Sequence, residues 1–196
     1  MTSTLASDDI EQFYIRLYFD ISKGYFHAAM QRAYRDFNRT IENIPPDQEK
    51  RSQWRHELYG VLRSQVDGLL GATLAGQQEF DRWHEQTCGL LRENSGGILT
   101  VGQAQKWINM TLKYLYAFGE MRISGISKNY HFFHIPVDNI IQNVLQREFG
   151  VKRLPYAWSR IKDYSTYYEY QTRVRAAFKG KIVMDEEFKL FNRNFL

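Results

Sequence analysis

The sequence predicts an all-α protein in which two helical lobes enclose a cleft. Apolar residues recur every three or four positions through most of the chain, which is the spacing of one face of an α-helix. Four prolines interrupt these patterns, at positions 45, 46, 136 and 155, and there is no βαβ alternation or internal repeat. With 196 residues, the chain suits a single domain, residues 1–196.

Four helices are predicted in the first half of the chain. Asp8 can cap the first, and Gly24 precedes the second. Asp47 follows the Pro45-Pro46 break and can begin the third, whereas the fourth ends at residues 94–97, Asn-Ser-Gly-Gly. Their apolar positions are Ile10, Phe13, Tyr14 and Leu17; Phe26, Met30, Ala33 and Phe37; Trp54, Leu58, Val61, Leu62 and Leu69; and Phe80, Trp83, Leu90 and Leu91.

The second half contains a helix over about residues 101–118, followed by a loop-like segment over 119–135. Pro136 is predicted to open the next helix, which Gly150 closes. A further helix carries a run of tyrosines, and the tail after residue 180 can add a short one. The apolar and aromatic positions of these three helices are Ile140, Ile141, Val144, Leu145 and Phe149; Tyr164, Tyr167, Tyr168, Val174 and Phe178; and Phe188 and Leu190.

Composition indicates a globular chain and excludes several classes of protein. Hydrophobic residues make up 43% and aromatic residues 15%, too many for a disordered chain. The single cysteine, Cys88, excludes an internal disulfide and an iron–sulfur cluster held by four cysteines. The polar start and the lack of an apolar run of ~18 residues predict a cytoplasmic protein without a membrane span. A net charge of +4 is compatible with a polyanionic partner.

The helix start at Gly102-Gln103-Ala104-Gln105 is the first candidate for a binding function. The first backbone N–H groups of a helix have no partner within the helix, and the helix dipole favours an anion there. Small residues would let a phosphate approach, and the glutamine amides would add donors. Lys106 follows directly, where its amine could enter a shielded site.

The segment over residues 134–141, His-Ile-Pro-Val-Asp-Asn-Ile-Ile, is the second candidate. Asp138 lies near a predicted helix start, where the dipole favours a carboxylate, and apolar neighbours would place it in a partly dry cleft. A lysine nucleophile and a carboxylate, each at a helix start, form a plausible catalytic pair.

These two segments resemble the helix-hairpin-helix DNA glycosylases. The hairpin of that family reads Leu-Pro-Gly-Val-Gly-x-Lys; here Gly102 matches the first glycine, Ala104 replaces the second and Lys106 matches the lysine. Val137-Asp138 matches the Val-Asp pair that supplies the essential aspartate. The interval between Lys106 and Asp138 is similar to that of the archaeal 8-oxoguanine glycosylase branch. The resemblance covers roughly residues 95–150, and the Leu-Pro-Gly hairpin is missing.

The resemblance implies a reaction and roles for several residues. The enzyme would flip a modified base out of DNA and cleave its N-glycosidic bond, leaving an abasic site. Asp138 would stabilise the oxocarbenium-like sugar or activate the nucleophile, and Lys106 would attack C1′ to form a Schiff base or would position a water. Residues 102–105 would bind the DNA backbone. The residues expected to line the base pocket are Trp107, Met110, Phe133 and His134.

The substrate would be DNA with an oxidised base, or a phage hypermodified cytosine such as glucosylated hydroxymethylcytosine, as removed by bacterial antiviral defence glycosylases. No cofactor or metal is implied, and a monomer is expected. The alternative is a non-catalytic helical module that binds nucleic acid or a protein, in which Lys106 contacts phosphate and Asp138 is only a cap. The His131-x-x-His134 spacing leaves open that these two histidines bind a metal ion.

Overall fold

The computed structural model describes residues 7–194 as an all-helical fold, which confirms the predicted class. Within that range there are eight α-helices and no β-strand, with short 3-10 turns at residues 38–40, 130–132 and 158–160. The helices are α1 (Ser7–Tyr18), α2 (Tyr25–Arg35), α3 (Gln48–Gly71), α4 (Gln77–Asn94), α5 (Val101–Phe118), α6 (Asn139–Phe149), α7 (Tyr164–Ala177) and α8 (Val183–Asn194).

Local capping signals explain most of the helix ends. The Asp47 carboxylate accepts a hydrogen bond from the Lys50 N–H at 2.9 Å, which begins α3. At α5, the Thr100 hydroxyl accepts from the Gln103 N–H, and the Gln103 side chain accepts from the Thr100 N–H. Gly150 ends α6 in the left-handed conformation, with φ of 67°. Because these signals are local, the sequence predicted these boundaries closely.

The start of α6 differs from the prediction. Pro136 does not open the helix; instead the chain stays extended through Asp138, and the helix begins at Asn139. The Asp138 carboxylate accepts a hydrogen bond from the Ile141 N–H at 2.8 Å, so this residue is the N-cap. This later start matters because the side chain of an N-cap residue turns toward the first N–H groups of its own helix.

The helix α5 forms the centre of the molecule. All of its residues are buried except Tyr114, Tyr116 and Ala117. The Trp107 ring is fully buried, and its indole N–H donates to the Met30 carbonyl of α2 at 3.1 Å. Burying such a side chain stabilises the fold by about 3 kcal/mol. The buried apolar side chains of α2 to α8 form one connected cluster around this helix.

The helix α1 packs differently from the others. Its inner side packs through Ile15 and through Phe19, which directly follows the helix. The Phe19 ring lies 4.7 Å from Phe118 and 5.2 Å from Tyr114, centroid to centroid. On its outer side, five large apolar residues are exposed, namely Ile10, Phe13, Tyr14, Leu17 and Tyr18, which we call the α1 stripe.

None of the helices within residues 7–194 has both the length and the apolar character needed to cross a lipid bilayer.

Candidate functional site

Lys106 and Asp138 lie in direct contact. The Lys106 Nζ is 2.6 Å from the Asp138 Oδ2, although Lys106 belongs to the second turn of α5 and Asp138 caps α6. The lysine side chain is 6% exposed and the aspartate side chain 24%. The aspartate uses its other oxygen, Oδ1, for the helix cap. An amine and a carboxylate are therefore held together, with the carboxylate on the wetter side.

This ion pair lines a cleft of about 540 Å³. The helices α2, α5, α6 and α8 contribute its walls, together with the 3-10 turns at 38–40 and 158–160. Its apolar lining includes Met110, Ile140, Trp158 and Phe191. The cleft thus has an ionic group in one part of its wall and rings and methyl groups in others.

A second ion pair lies on the same cleft. The Lys113 Nζ is 2.8 Å from Oε1 and 2.6 Å from Oε2 of Glu187, and both side chains are buried. Both carboxylate oxygens therefore lie in contact with the ammonium, and Oε2 is closed off from solvent. The Lys113 ammonium also lies 4.9 Å and 4.8 Å from the ring centroids of Phe188 and Phe191. Lys113 lies two turns along α5 from Lys106, so both amines face the same side of the helix.

The α2 side of the cleft is also charged. The Tyr114 hydroxyl donates to the Asp36 carboxylate at 2.6 Å, and Arg32 lies 3.5 Å from the same carboxylate. Burial, and then the Asp36 charge, raise the pKa of Tyr114 far above its usual value, so this hydroxyl keeps its proton. Arg39 lines the cleft beside them and is exposed.

The packing of residues 102–105 corrects the expectation that they bind a DNA backbone. All four are buried. The Gly102 N–H donates to the Ile161 carbonyl at 3.0 Å, and a β-carbon on Gly102 would lie only 1.9 Å from the Trp158 carbonyl oxygen. The 3-10 turn at 158–160 therefore covers the helix start, and the Gln103 side chain is bonded to Thr40 at 2.7 Å. No phosphate can reach these N–H groups.

Gln105 has a different role, which the sequence did not reveal. Its Nε2 donates to the carbonyls of Gly102 and Val137, both at 2.9 Å, and its Oε1 accepts from the Val137 N–H at 3.2 Å. These bonds fasten the extended chain before α6 onto α5. Since Val137 immediately precedes Asp138, this side chain fixes the position of the carboxylate opposite Lys106. The sequence does contain one indication of this role, namely an amide side chain directly before Lys106 in a largely apolar helix.

Of the four residues expected in a base pocket, the cleft contains Met110. Trp107 and Phe133 are fully buried in the apolar core. His134 is buried in a polar network away from the cleft. The expectation is therefore wrong for these three residues as the protein is folded. The rings that do line the cleft come from Tyr114 of α5 and, from distant segments, Trp158 and Phe191.

The polar network around His134 is a second feature that the sequence did not predict. The His134 Nε2 is 2.7 Å from the Asp81 Oδ1, and its Nδ1 is 2.9 Å from the Tyr167 hydroxyl. His84 lies 3.1 Å from Asn109 and 3.0 Å from the Tyr164 hydroxyl. We call these six residues the histidine network. It joins α4, α5 and α7 to the segment that precedes α6.

Electrostatics in the histidine network favours neutral imidazoles. Burial lowers the pKa of His84 well below its usual value, and the neighbouring His134 lowers it further. Burial also lowers the pKa of His134, although Asp81 opposes this. Burial raises the pKa of Asp81, but hydrogen bonds from His134 and Gln77 and the charge of Arg175 outweigh it and lower the pKa to about 2.

Metal ligands do not converge anywhere in residues 7–194: no three His, Cys, Asp or Glu side chains form a group that could hold an ion. His131 is exposed and lies against Phe132, with ring centroids 3.8 Å apart and the rings tilted by 50°, whereas His134 is buried. The His-x-x-His spacing thus does not bring the two rings to one site.

Comparisons with known proteins give no match: no protein-family model, no curated protein and no solved structure matches this chain. The chemistry of the cleft is defined by its side chains. It offers two amines, each in contact with a carboxylate, together with aromatic and thioether surfaces. These groups can bind a flat polar ligand and can carry out nucleophilic or proton-transfer chemistry on it.

Proposed function

We propose that the protein is a DNA glycosylase that accepts an extruded, modified nucleotide in this cleft and cleaves its N-glycosidic bond. The observation that carries the proposal is the 2.6 Å contact between the Lys106 Nζ and the Asp138 Oδ2 inside a cleft of about 540 Å³. Small-molecule sites in proteins typically measure about 300–1,000 Å³, so a base with its sugar fits. The proposal agrees with the resemblance to helix-hairpin-helix glycosylases in residues 95–150.

The ion pair can supply the nucleophile. In the lysine pathway, the Asp138 Oδ2 takes a proton from the Lys106 ammonium, and the free amine then forms a bond to C1′ while the bond from C1′ to the base nitrogen breaks. The electron pair of the broken bond leaves with the base, which takes up the proton that Asp138 holds. The nitrogen bonded to C1′ then gives up a proton, and the Asp138 Oδ2 at 2.6 Å is placed to receive it. Opening of the sugar ring gives the Schiff base.

The same geometry also serves a hydrolytic pathway. The Asp138 carboxylate would stabilise positive charge that develops at C1′ as the base leaves, because it is partly shielded from water. Lys106 would then orient a water for attack at C1′. Trapping of a lysine adduct separates the two pathways.

The second ion pair can read the edge of the base. Lys113 supplies a donor and the Glu187 carboxylate an acceptor, and both residues line the cleft. A base edge with a carbonyl or ring nitrogen next to an N–H group complements this arrangement. Met110, Trp158 and Phe191 offer apolar surface for the base faces. An oxidised purine or a hypermodified cytosine would satisfy these contacts.

Contact with the DNA backbone falls to exposed cations near the cleft rather than to the start of α5. Arg39 lines the cleft and is exposed, and Arg160 is exposed in the adjacent 3-10 turn. Each cation that neutralises a phosphate releases counterions, so binding should weaken as salt rises. The mildly basic balance of the chain agrees with this requirement.

The test is a base-release assay on end-labelled duplex and single-stranded DNA. The panel contains 8-oxoguanine, uracil, alkylated bases and glucosylated hydroxymethylcytosine, each incubated with enzyme and then with alkali. We expect wild type to generate alkali-dependent breaks at one modified base. Lys106→Gln and Asp138→Asn should each lower the rate at least ~100-fold, as expected for a nucleophile or a charge-stabilising group. Borohydride should trap a protein–DNA adduct with wild type if Lys106 forms a Schiff base.

Matched controls separate the site from general effects of charge. Lys152→Gln and Asp67→Asn change exposed residues of the same types outside the cleft and should leave the rate unchanged. Asp138→Asn retains a side chain that can cap α6, so the fold should survive. Activity that persists in both cleft variants would contradict the site.

A non-catalytic binding module is the second candidate, and the capping bond of Asp138 favours it. The carboxylate already stabilises α6 through the Ile141 N–H, and the ion pair would then only fasten α5 to α6. In that case DNA binding should weaken with Lys106→Ala and should hardly change with Asp138→Asn. Base release by wild type from any substrate would exclude this candidate.

A further inference from the structure

The chain between α6 and α7 carries an exposed ring and exposed cations beside the cleft. We call residues 154–162 the strap. Its sequence is Leu-Pro-Tyr-Ala-Trp-Ser-Arg-Ile-Lys, which contains no acidic residue. The apolar side chains of the strap that are buried in the core are Leu154, Trp158 and Ile161. Its exposed side chains include Tyr156, Arg160 and Lys162.

Hydrogen bonds hold the backbone of the strap in place. The Leu154 N–H donates to the Gln142 Oε1 of α6 at 2.9 Å. The Ser159 carbonyl accepts from the Thr100 hydroxyl at the start of α5, at 2.7 Å. A surface that is already ordered loses little conformational entropy when a partner binds. The exposed groups of the strap are therefore presented on a fixed backbone.

Arg160 of the strap and Arg39 lie on neighbouring turns at one end of α5. Arg39 is exposed in the 3-10 turn at 38–40 and lines the cleft. The Gln103 side chain donates to a carbonyl of that turn at 2.7 Å, whereas the Thr100 hydroxyl donates to the strap. Thr100 and Gln103 form the capping box of α5, so both turns are attached to the same helix end. The two arginines thus lie on the same side of the cleft.

The exposed groups have no partners in the rest of the described chain. Among residues 7–194, the side chains of Arg39, Arg160 and Lys162 form no ion pair or hydrogen bond, and the Tyr156 ring contacts no other ring. Tyr156 is 41% exposed. Exposed cations can neutralise phosphates, and an exposed ring can stack on a nucleobase.

We propose that the strap, together with Arg39, binds single-stranded DNA beside the cleft. The three cations hold phosphates, and an unstacked base lies on the Tyr156 ring. Tyr156 precedes Trp158, which lines the cleft, by two residues. The Cα atoms of these two residues are therefore at most ~7 Å apart. The base next to a nucleotide in the cleft can thus reach the Tyr156 ring.

The exposed ring selects a single strand over a duplex. In a duplex, both faces of a base are stacked on its neighbours, and exposing a face costs free energy. In a single strand, the faces are free to stack on a protein ring, whatever the sequence. The start of α5 cannot hold a duplex backbone, because the strap covers it. The inference rests on the proposed function for the reaction in the cleft, and it makes the substrate a modified base in single-stranded DNA.

Fluorescence anisotropy tests the surface without any reaction, using an unmodified labelled oligonucleotide of about 15 nucleotides. We expect wild type to bind the single strand at least ~5-fold more tightly than the same sequence as a duplex, the effect of one stacked base. Tyr156→Ala should remove this preference by weakening binding to the single strand alone. Tyr156→Phe keeps the ring and should retain the preference, as should Tyr14→Ala, at an exposed ring on α1.

Two results would overturn the proposal. One is equal binding of the single strand and the duplex by wild type. The other is a Tyr156→Ala variant that keeps the wild-type preference for the single strand.

The dependence of binding on salt tests the cations. Each phosphate contact with a single strand adds about −0.7 to the slope of log K against log salt concentration, so three contacts predict a slope of about −2. Arg39→Gln, Arg160→Gln and Lys162→Gln should each reduce its magnitude by about 0.7. Lys152→Gln, at an exposed lysine just before the strap, should leave the slope unchanged. A slope that none of the first three substitutions alters would overturn the assignment of the phosphates.

Base release connects the strap to the cleft. On a modified base in a single strand, Tyr156→Ala should raise KM at least ~5-fold and leave kcat unchanged, because the ring binds a neighbouring base and not the reacting one. Base release from duplex DNA alone would overturn the single-strand substrate. If no substrate is cleaved while the binding results are as expected, the glycosylase proposal fails and the strap is still confirmed as a surface for single-stranded DNA.

Discussion

The two buried histidines give the molecule a built-in sensitivity to acid. His84 and His134 lie with ring centroids 4.8 Å apart, and both are held neutral by burial. Protonating either ring in the folded state would bury a charge, and protonating both would place like charges side by side. The unfolded chain has no such restriction, because its imidazoles titrate near pH 6.5 in water.

The first prediction concerns stability below pH 6.5. Because the folded pKa of each histidine is lowered, the unfolded chain binds more protons there, and stability falls as the pH falls. We expect the free energy of unfolding to drop by about 2 kcal/mol between pH 7 and pH 5.5, measured by urea denaturation. Asp81, with its pKa lowered to about 2, acts in the same direction below pH 4.

Single substitutions assign this effect to the network. His84→Gln should flatten the dependence of stability on pH, even though it lowers stability at pH 7. His131→Gln, at an exposed histidine three positions before His134, should leave the dependence unchanged. A pH profile identical in all three proteins would show that the buried imidazoles are not its cause.

The identities of the site residues were only partly readable from the sequence. Lys106 and Asp138 stood out because an ionisable residue near a helix start is a local signal, and the structure brings the two into contact. Lys113, Glu187 and Phe191 gave no local signal, since a charged or aromatic residue on a helix is common. Their meeting depends on how α8 packs against α5, which is a long-range feature.

At the scale of elements, the contact between α5 and the 3-10 turn at 158–160 requires that residue 102 be a glycine. Gly102 lies against the backbone of Trp158 and Ser159, and its N–H donates to the Ile161 carbonyl. Glycine permits this approach because it has no β-carbon. The same 3-10 turn also places Trp158 in the lining of the cleft. One glycine thereby determines how a wall of the cleft is attached to the central helix.

The second prediction compares alanine substitutions at two glycines, Gly102 and Gly68. Gly102→Ala would place a methyl group 1.9 Å from the Trp158 carbonyl oxygen, so the turn must move away. We expect a loss of at least ~2 kcal/mol in the free energy of unfolding, together with weaker ligand binding in the cleft. Gly68→Ala, at an exposed position of α3 with open space around it, should instead add about 0.5–1 kcal/mol. Equal effects of the two substitutions would contradict the contact.

Helix boundaries were predictable where caps and glycines mark them, as at Asp47 and Gly150. The cover over the start of α5 was not predictable, because the 3-10 turn that forms it is some 60 residues away in the chain and has no periodic pattern. The sequence thus suggested an open anion site where the structure has a packed contact. The helix α6 begins later than predicted because the Gln105 side chain hydrogen-bonds the N–H and the carbonyl of Val137.

At the scale of the whole molecule, the buried side chains form one connected cluster, and α5 runs through it. The cleft opens between helices that share this core. Two lobes with separate cores would be expected to unfold separately, whereas helices around one core lose their packing together.

The third prediction is therefore a single cooperative unfolding transition. Far-ultraviolet circular dichroism, which reports helix content, and near-ultraviolet circular dichroism, which reports aromatic packing, should give the same midpoint in urea. Two separated transitions would mean that the helices belong to two bodies that fold separately.

Trp158 gives the molecule an intrinsic optical reporter. Of the four tryptophans, this one lines the cleft, whereas Trp107 is sealed in the core and Trp54 donates its indole N–H to the Ser95 carbonyl. A planar aromatic ligand that stacks on or near the Trp158 ring will quench the fluorescence of Trp158, while the other tryptophans continue to fluoresce. Occupancy of the cleft can thus be titrated without a label, and Trp158→Phe should remove the signal.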